Sequence, residues 1–145
     1  MQKLLLEQWW LRWLVQLASF ACVPLVALAT YYLDQNWEVI GDLRITQQIT
    51  DAEGVLIYGI FTKQRECTFS EALVVSGDGN VTQIRLPGRP VGAATVSRPL
   101  GEQRFGPWQI DVKPGQRATL FARHRCHFAW EHGEMLTTFV VGADR

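Results

Sequence analysis

The sequence predicts one apolar α-helix followed by an all-β domain, an antiparallel sandwich of about seven strands. A charge-free stretch from residue 13 to residue 33 indicates the helix, and alternating apolar and polar residues between 39 and 141 indicate the sandwich. Clusters of Gly, Pro, Asn and Asp separate the alternating segments, as turns do. The 145 residues suffice for one domain, and a hydrophobic content of 48% excludes intrinsic disorder.

The charge-free stretch Trp13–Leu33 has the length of a membrane-spanning helix. Its 21 residues rise about 31 Å as a helix, and the hydrocarbon core of a bilayer is ~30 Å thick. We therefore predict a span at 13–33, preceded by a cytoplasmic segment at 1–12 and followed by a short linker at 34–38. Aromatic side chains, which favour the headgroup level, stand at both ends: Trp9, Trp10 and Trp13 at one, and Tyr31, Tyr32 and Trp37 at the other.

Two features of the span concern its shape and its neighbours. Pro24 removes one helix donor and predicts a local kink. The lipid bilayer is the first expected partner, and a second helix, in a homo- or hetero-oligomer, is another. Small side chains permit close approach of such a helix, and we expect the packing at Ala18, Ser19, Ala21 and Cys22.

Charge predicts the orientation of the span. Lys3 and Arg12 precede it, and Asp34 and Glu38 follow it. Basic residues tend to stay on the cytoplasmic side. We therefore expect the N-terminus inside and residues 34–145 outside the cytoplasm.

Seven segments of the β domain, residues 39–141, have the pattern of strands. Residues 87–107 contain eight Gly and Pro residues that interrupt regular pairing, so we expect a long loop there, either functional or a solvated connector. Turns are expected at 51–54 and 77–80, and residues 142–145 form a tail. The predicted strands cover residues 39–49, 55–62, 67–75, 81–86, 108–112, 117–130 and 135–141.

Cysteine usage gives the most specific chemical prediction. Cys67 and Cys126 are the two cysteines of the β domain, and each lies on the apolar face of its predicted strand. In an oxidising compartment such a pair is expected to form a disulfide. Closing a loop of about 60 residues corresponds to roughly 4 kcal/mol in the chain-entropy treatment, and we expect the bridge to join the two sheets. Two reduced, buried thiols are the alternative if the domain faces the cytosol.

The histidines suggest a metal site as an alternative hypothesis. His124, His127 and His132, which are borderline ligands, lie near one another in sequence and beside Cys126, a soft ligand. However, His124 and His127 point to opposite faces of one predicted strand, and Cys126 has a better partner in Cys67. We therefore expect no metal or other cofactor, with His124 as a hydrogen-bonded core residue and His127 and His132 at the surface.

The sequence offers little support for catalysis or nucleic-acid binding. The serines lack a nucleophile-elbow context, and no spacing brings two carboxylates together. The 14 basic and 14 acidic residues give a net charge of +0, so no global basic field marks a nucleic-acid binder. We expect no enzymatic activity and no small-molecule substrate.

Charge is distributed unevenly along the β domain. Residues 34–84 carry three basic against eight acidic residues, net −5, and residues 85–125 carry eight basic against two acidic residues, net +6. The two halves either neutralise each other in the fold or leave a basic patch for anionic headgroups or an acidic partner. Arginine beside aromatic residues favours protein interfaces, so we expect the contact surface at Arg89, Arg98, Arg104, Phe105 and Trp108.

Two short motifs carry a family resemblance. A span followed by Arg65-Glu66-Cys67, a turn-rich middle and a late His124-Arg125-Cys126-His127 resembles small single-pass membrane proteins of unassigned function in tailed-phage genomes. The resemblance implies a bacterial inner membrane with a periplasmic domain. In architecture the sandwich is similar to immunoglobulin-like domains. It departs from them because no Trp lies about a dozen residues after Cys67, and His124 stands where a Tyr-x-Cys motif has tyrosine.

These observations lead to one functional hypothesis and two alternatives. We expect a membrane-anchored, non-enzymatic protein whose sandwich or span binds and positions a membrane or envelope protein. The first alternative is a secreted or periplasmic metal-binding sandwich, released by cleavage at the small-x-small pattern ending in Ala29. The second is a phage-encoded factor that blocks an envelope component and excludes superinfecting phage.

Overall fold

The computed structural model describes residues 2–51, 54–87 and 98–142, with side chains from Trp9 onward. The chain divides into two compact units, of which the first ends at Trp37 and the second begins at Glu38. Several predicted features involve residues that are not described. These are residues 52–53 of the turn at 51–54, residues 88–97 of the loop at 87–107, which include Arg89, the side chain of Lys3, and the tail from residue 143.

The first unit is a single helix. Helix α1 spans Gln2–Gln35 and includes Pro24, so it extends beyond the predicted span at both ends. Its portion Trp9–Gln35 is long and apolar enough to cross a membrane, and none of its most apolar stretch is buried within the protein. A signal sequence near an N-terminus has the same length and composition. Ser19 and Thr30 each donate a hydrogen bond to the carbonyl four residues earlier, at 2.8 Å, so their hydroxyls are satisfied within the helix.

The described residues of the second unit form seven antiparallel strands in two sheets, as the alternation of apolar residues predicts. The first sheet has the order β1-β2-β5 and the second the order β4-β3-β6-β7. The strands are β1 (Ile40–Asp51), β2 (Gly54–Lys63), β3 (Thr68–Ser76), β4 (Val81–Gln83), β5 (Gly101–Ile110), β6 (Arg117–Arg125) and β7 (His132–Val140).

The core lies between the two sheets. Ile57 and Ile110 of the first sheet and Val74 and Leu120 of the second have no exposed surface. Every second residue of β2 is buried, beginning with Val55, although its sequence is apolar on both faces. Burial of these side chains, at about 25 cal/mol per Å² of apolar surface removed from water, holds the sheets together.

Strand β5 differs from its prediction. The Gly and Pro content predicted a loop up to residue 107 and a strand at 108–112, whereas the observed strand is Gly101–Ile110. Beside β2, β5 is the outermost strand of its sheet, and an edge position tolerates proline. The register between β2 and β5 shifts between Ile57 and Gly59, which accommodates Gly106-Pro107 within the pairing.

Strand β4 is shorter than predicted because the chain changes sheets. β4 pairs with β3 only at Val81–Gln83. Arg85 then forms an antiparallel bridge with Gln109 of β5, with both backbone hydrogen bonds made, at 3.0 and 2.8 Å. This bridge joins the two sheets on the β4–β5 side of the sandwich.

The connection between β6 and β7 also differs from its prediction. A single strand was predicted at 117–130, but β6 ends at Arg125 and β7 begins at His132. Phe128 lies two residues after Cys126, on the same apolar face of the predicted strand, but it is 93% exposed. The expectation that His132 lies at the surface is wrong, since 2% of it is exposed. Its position in β7 turns it inward, in alternation with Gly133.

One glycine is required by close packing of the first sheet. A Cβ atom at Gly59, in the middle of β2, would overlap the carbonyl oxygen of Arg44 in β1 and the ring of Phe105 in β5. The rings of Phe105 and Trp108 contact each other in the core, with centroids 4.4 Å apart and an interplanar angle of 39°. Glycine at this position therefore lets a large aromatic ring lie against the strand backbone.

Candidate functional site

A groove lies on the surface of the sandwich between strands β1 and β7. Its volume is about 640 Å³, and it is lined by residues Leu43–Gln48 of β1 and Thr137–Val140 of β7. Each strand is the outermost strand of its own sheet, β1 beside β2 and β7 beside β6. The groove therefore runs along two strand edges on the side of the sandwich opposite the Arg85–Gln109 bridge.

The groove combines an apolar floor with polar rims. Leu43, Ile45 and Phe139 are partly buried and pack against the hydrophobic core, so their remaining exposed surface faces the groove. Thr46 and Gln47 are exposed on the β1 side. An outermost strand also has backbone N–H and C=O groups along its free edge, and another strand can form hydrogen bonds with them.

Beyond one end of the groove, Glu134 of β7 contacts the start of β1. Its two carboxylate oxygens accept hydrogen bonds from the backbone N–H groups of Val39, at 2.9 Å, and Ile40, at 3.0 Å. Val39 has no exposed surface. We call this contact the Glu134 clasp, because it attaches the first residues of the sandwich to the second sheet.

Two histidines surround the Glu134 clasp. His124 Nδ1 lies 3.3 Å from one carboxylate oxygen of Glu134, and His132 Nε2 lies 3.6 Å from the other. Both rings are buried. Burial lowers the pKa of His124 to about 4, with the neighbouring His132, Lys63 and Arg65 adding to the effect. Burial also raises the pKa of Glu134, against the opposing effect of its two backbone hydrogen bonds.

The other end of the groove is closed by Gln48 of β1. Its amide nitrogen donates to the carbonyl of Val140, at 3.3 Å, and its amide oxygen accepts from the N–H of Gly142, at 2.9 Å. We call this contact the Gln48 clasp. The two clasps show that β1 and β7 run parallel, side by side. Between the clasps, no backbone hydrogen bond joins β1 to β7 in the described residues.

The predicted disulfide is confirmed, but its placement differs from the expectation. The sulfur atoms of Cys67 and Cys126 are 2.02 Å apart. Cys67 precedes Thr68, and Thr68 pairs with Arg125, the residue before Cys126. The bridge therefore joins β3 and β6, neighbours in the same sheet, and it does not link the two sheets. Cys22 is a free, exposed thiol on the helix.

An aromatic turn follows the disulfide. The ring of His127 stacks on that of Trp130 with centroids 3.9 Å apart and an interplanar angle of 13°. Its Nδ1 accepts a hydrogen bond from the backbone N–H of Ala129. An ion pair between Arg125 and Glu131, at 3.0 Å, closes the base of the turn.

The structure separates the residues of the predicted contact surface. Phe105 and Trp108 are buried, with 4% and 7% exposed, so the prediction that they form an exposed surface is wrong. Both face inward from β5 because the register irregularity between them places residues three apart on the same face. A loop was predicted up to residue 107, so the sequence did not indicate this. Arg104 is exposed, and its carbonyl accepts a hydrogen bond from the guanidinium of Arg98. Arg89 lies outside the described residues.

The three histidines of the alternative metal hypothesis do not come together at one site, because His127 lies apart from the other two. Among the residues that the structure describes, no group of three or more His, Cys, Asp or Glu side chains is placed to hold a metal ion. His127 takes part in the aromatic turn, whereas His124 and His132 face Glu134. The expectation that His124 lies in the core holds. Its Nδ1 lacks a well-aligned hydrogen bond despite its closeness to Glu134.

The uneven charges pair in part across the fold. Arg123 forms an ion pair with Glu71 at 2.8 Å, which joins the basic and acidic halves of the β domain as the neutralising interpretation predicts. On the helix, the expected packing and anchoring residues are all exposed: Ala18, Ser19, Ala21, Cys22, Trp9, Trp10, Trp13, Tyr31 and Tyr32. Helix packing through these residues stays a prediction.

The sequence indicated neither clasp. The contacts of Glu134 and Gln48 span more than ninety residues, and their side chains resemble ordinary surface residues of alternating strands. One available signal was the alternation of His132, Glu134 and Leu136, which places Glu134 on the inward face of β7. No protein-family model, curated protein or solved structure matches the chain.

Proposed function

We propose that the protein is a membrane-anchored, non-enzymatic binding module, with an immunoglobulin-like sandwich that accepts an extended segment of a membrane or envelope protein. Helix α1 would hold the module in the bacterial inner membrane, with the N-terminus in the cytoplasm and the sandwich in the periplasm. The groove between β1 and β7 would receive the partner. The observation that carries this proposal is the open groove between two strand edges.

The anchor is supported by the helix and by the self-contained core of the sandwich. The side chains described along Trp9–Gln35 are mostly exposed and apolar, which is stable in lipid and costly in water. The sandwich has its own hydrophobic core between the sheets. Tethering to a membrane would raise the local concentration of the sandwich near other membrane proteins.

The proposed orientation is supported by two independent features. Lys3 and Arg12 precede the apolar stretch, and positive residues favour the cytoplasmic side. The Cys67–Cys126 disulfide is a bond that persists in oxidising compartments such as the periplasm. Both features favour a sandwich that lies outside the cytoplasm.

Partner binding in the groove is supported by its chemistry. A strand added along an edge gains main-chain hydrogen bonds, while alternate side chains enter apolar pockets. The six residues of β1 that line the groove, Leu43–Gln48, extend about 20 Å at the rise of a strand. Leu43, Ile45 and Phe139 would contact the inward side chains of the partner segment.

Site-directed photocrosslinking in native membranes tests the partner site. A photoreactive phenylalanine at Thr46, in the groove, should form a crosslink that mass spectrometry maps to an extended segment of one membrane or envelope protein. The same group at Val81, an exposed residue of β4, is the control. Crosslinking that is equal at the two positions, or absent at Thr46, contradicts binding in the groove.

A matched pair of substitutions sharpens the partner test. Lysine on an edge strand opposes further strand pairing. Gln47→Lys, on the edge of β1, should reduce the Thr46 crosslink several-fold. Gln83→Lys, an exposed position on the outermost strand of the other sheet, should leave it unchanged. If both variants retain the crosslink, the partner does not pair with this edge.

Membrane anchoring is tested separately. The mature protein should resist extraction by alkaline carbonate and have the intact mass of all 145 residues. Labelling of a cysteine introduced in the sandwich should require no permeabilisation of the inner membrane. Mature protein that begins near Thr30 and is released by carbonate would show that the helix is a cleaved signal sequence.

A further inference from the structure

A second, smaller space lies between the two sheets near the disulfide. Its volume is about 140 Å³, close to that of an engineered apolar protein cavity of about 150 Å³ that binds benzene. The space therefore has room for one six-membered ring or a branched chain of similar size. Most of its wall is apolar and is supplied by Phe61, Phe69, Leu86 and Trp108.

The polar part of the wall contains a buried ammonium group. Lys63, at the end of β2, is 7% exposed. Its Nζ donates hydrogen bonds to the carbonyls of Cys67, at 3.0 Å, and Arg98, at 2.6 Å. A lysine ammonium has three N–H donors, so within the part of the chain that the structure describes one donor of Lys63 has no acceptor after these two bonds. No carboxylate of the described residues forms an ion pair with this group.

The charges around the cavity favour an anion over a cation. Burial lowers the pKa of Lys63, and the nearby Glu66 opposes this effect. His124, which also lines the cavity, is neutral at pH 7 because burial lowers its pKa to about 4. Glu134 faces the Nδ1 of His124 and has both oxygens engaged by the backbone of β1. The guanidinium of Arg98 lies 5.8 Å above the ring of Phe61 and adds positive charge to the wall.

We propose that this cavity binds a small monocarboxylate with a single ring or a branched apolar body. The apolar body would pack among the aromatic side chains, and the carboxylate would accept the remaining N–H of Lys63. A hydrogen bond to a charged group is stronger than one between neutral groups, so the charge of the ligand should matter as well as its shape. This site is separate from the groove between β1 and β7 and does not depend on the proposed partner.

Binding can be measured with benzoate and benzyl alcohol as probes. Ligand-observed NMR with the full-length protein in lipid nanodiscs, against empty nanodiscs, should show saturable benzoate binding. The neutral benzyl alcohol should bind at least about tenfold more weakly, which is the expected effect of losing one charge-assisted hydrogen bond. Lys63→Met should remove the preference for benzoate. Lys113→Met, an exposed lysine elsewhere, should leave it unchanged.

A second variant covers the case in which Lys63→Met does not fold. Leu86→Trp places a larger side chain at the partly buried edge of the cavity and should abolish binding of both probes. Saturable benzoate binding that persists in Leu86→Trp would place the ligand elsewhere and overturn the proposal. Absence of saturable benzoate binding up to concentrations on the order of 10 mM, a very weak affinity, would also overturn it.

Discussion

Removal of the Glu134 carboxylate should destabilise the sandwich by several kcal/mol. The carboxylate accepts the N–H groups of Val39 and Ile40, at 2.9 and 3.0 Å. An unsatisfied buried donor costs about 1–3 kcal/mol, so Glu134→Ala should cost about 2–6 kcal/mol in total. Burial raises the pKa of Glu134, which shows that the ionised group is itself costly to bury. Because Glu134→Ala removes this cost of burying a charge, we expect the loss of stability to lie near the lower end of the range of about 2–6 kcal/mol.

A graded series separates the hydrogen bonds from the loss of side-chain volume. Glu134→Gln keeps one acceptor oxygen and should cost about half as much as Glu134→Ala. Glu131→Ala is the control, because Glu131 forms an exposed ion pair with Arg125, and such pairs contribute about 0–1 kcal/mol. The free energy of unfolding of all three variants can be measured by urea unfolding of the full-length protein in non-ionic micelles, monitored by near-ultraviolet circular dichroism.

Two results would refute the reasoning about the Glu134 clasp. The first is a loss of stability in Glu134→Ala no larger than in Glu131→Ala. The second is unchanged hydrogen exchange at the amides of Val39 and Ile40 in Glu134→Ala. Since these amides have no other described acceptor than Glu134, its removal should increase their exchange before the rest of β1 exchanges.

Three further predictions concern the disulfide, a glycine and a histidine. Replacement of both Cys67 and Cys126 by Ser should lower the free energy of unfolding by about 4 kcal/mol, from the loop that the bridge closes; a loss below about 1 kcal/mol in urea unfolding would contradict this. Gly59→Ala should cost at least about 1–3 kcal/mol by overpacking and lower the thermal midpoint, whereas an unchanged midpoint would show that β2 can move away from its neighbours. The pKa of His124 is lowered to about 4 in the folded protein, so the unfolded chain takes up this proton first, and stability should fall as the pH decreases from about 6.5 to about 4. Across this pH range, His124 should lower the free energy of unfolding by about 3 kcal/mol in total, and the raised pKa of Glu134 opposes part of this loss. Urea unfolding repeated at several pH values should show a smaller dependence of stability on pH in His124→Gln than in the wild-type protein.

The features predicted from sequence are those that depend on local pattern. The helix follows from consecutive apolar residues, and most strands follow from period-two alternation, as in β2 and β3. The Cys67–Cys126 bond follows because only two cysteines were available in the β domain. Each of these predictions needs information from one segment or from composition.

The features that the sequence did not predict depend on contacts between distant segments. The strand at Gly101–Ile110 has the residues of a loop and forms because β2 offers it an edge position. Glu134 resembles a surface residue of β7, and only the approach of Val39 from the other sheet gives its carboxylate buried partners. Phe128 is exposed because β6 ends at Arg125. The residues that follow form a turn, so the inward and outward alternation of β6 does not extend to Phe128.

The two sides of the sandwich differ in how their sheets are joined, and we expect this difference to determine where the sheets separate most easily. On the β4–β5 side, the Arg85–Gln109 bridge joins the sheets by two backbone hydrogen bonds, so we expect that side to stay together. On the β1–β7 side, only the side chains of Glu134 and Gln48 make hydrogen bonds between the sheets in the described part of the chain. We therefore expect the sheets to separate more readily on the β1–β7 side. Protonation of Glu134 should weaken its contact, because a neutral carboxyl group keeps one carbonyl oxygen as acceptor, whereas the Gln48 amide does not titrate.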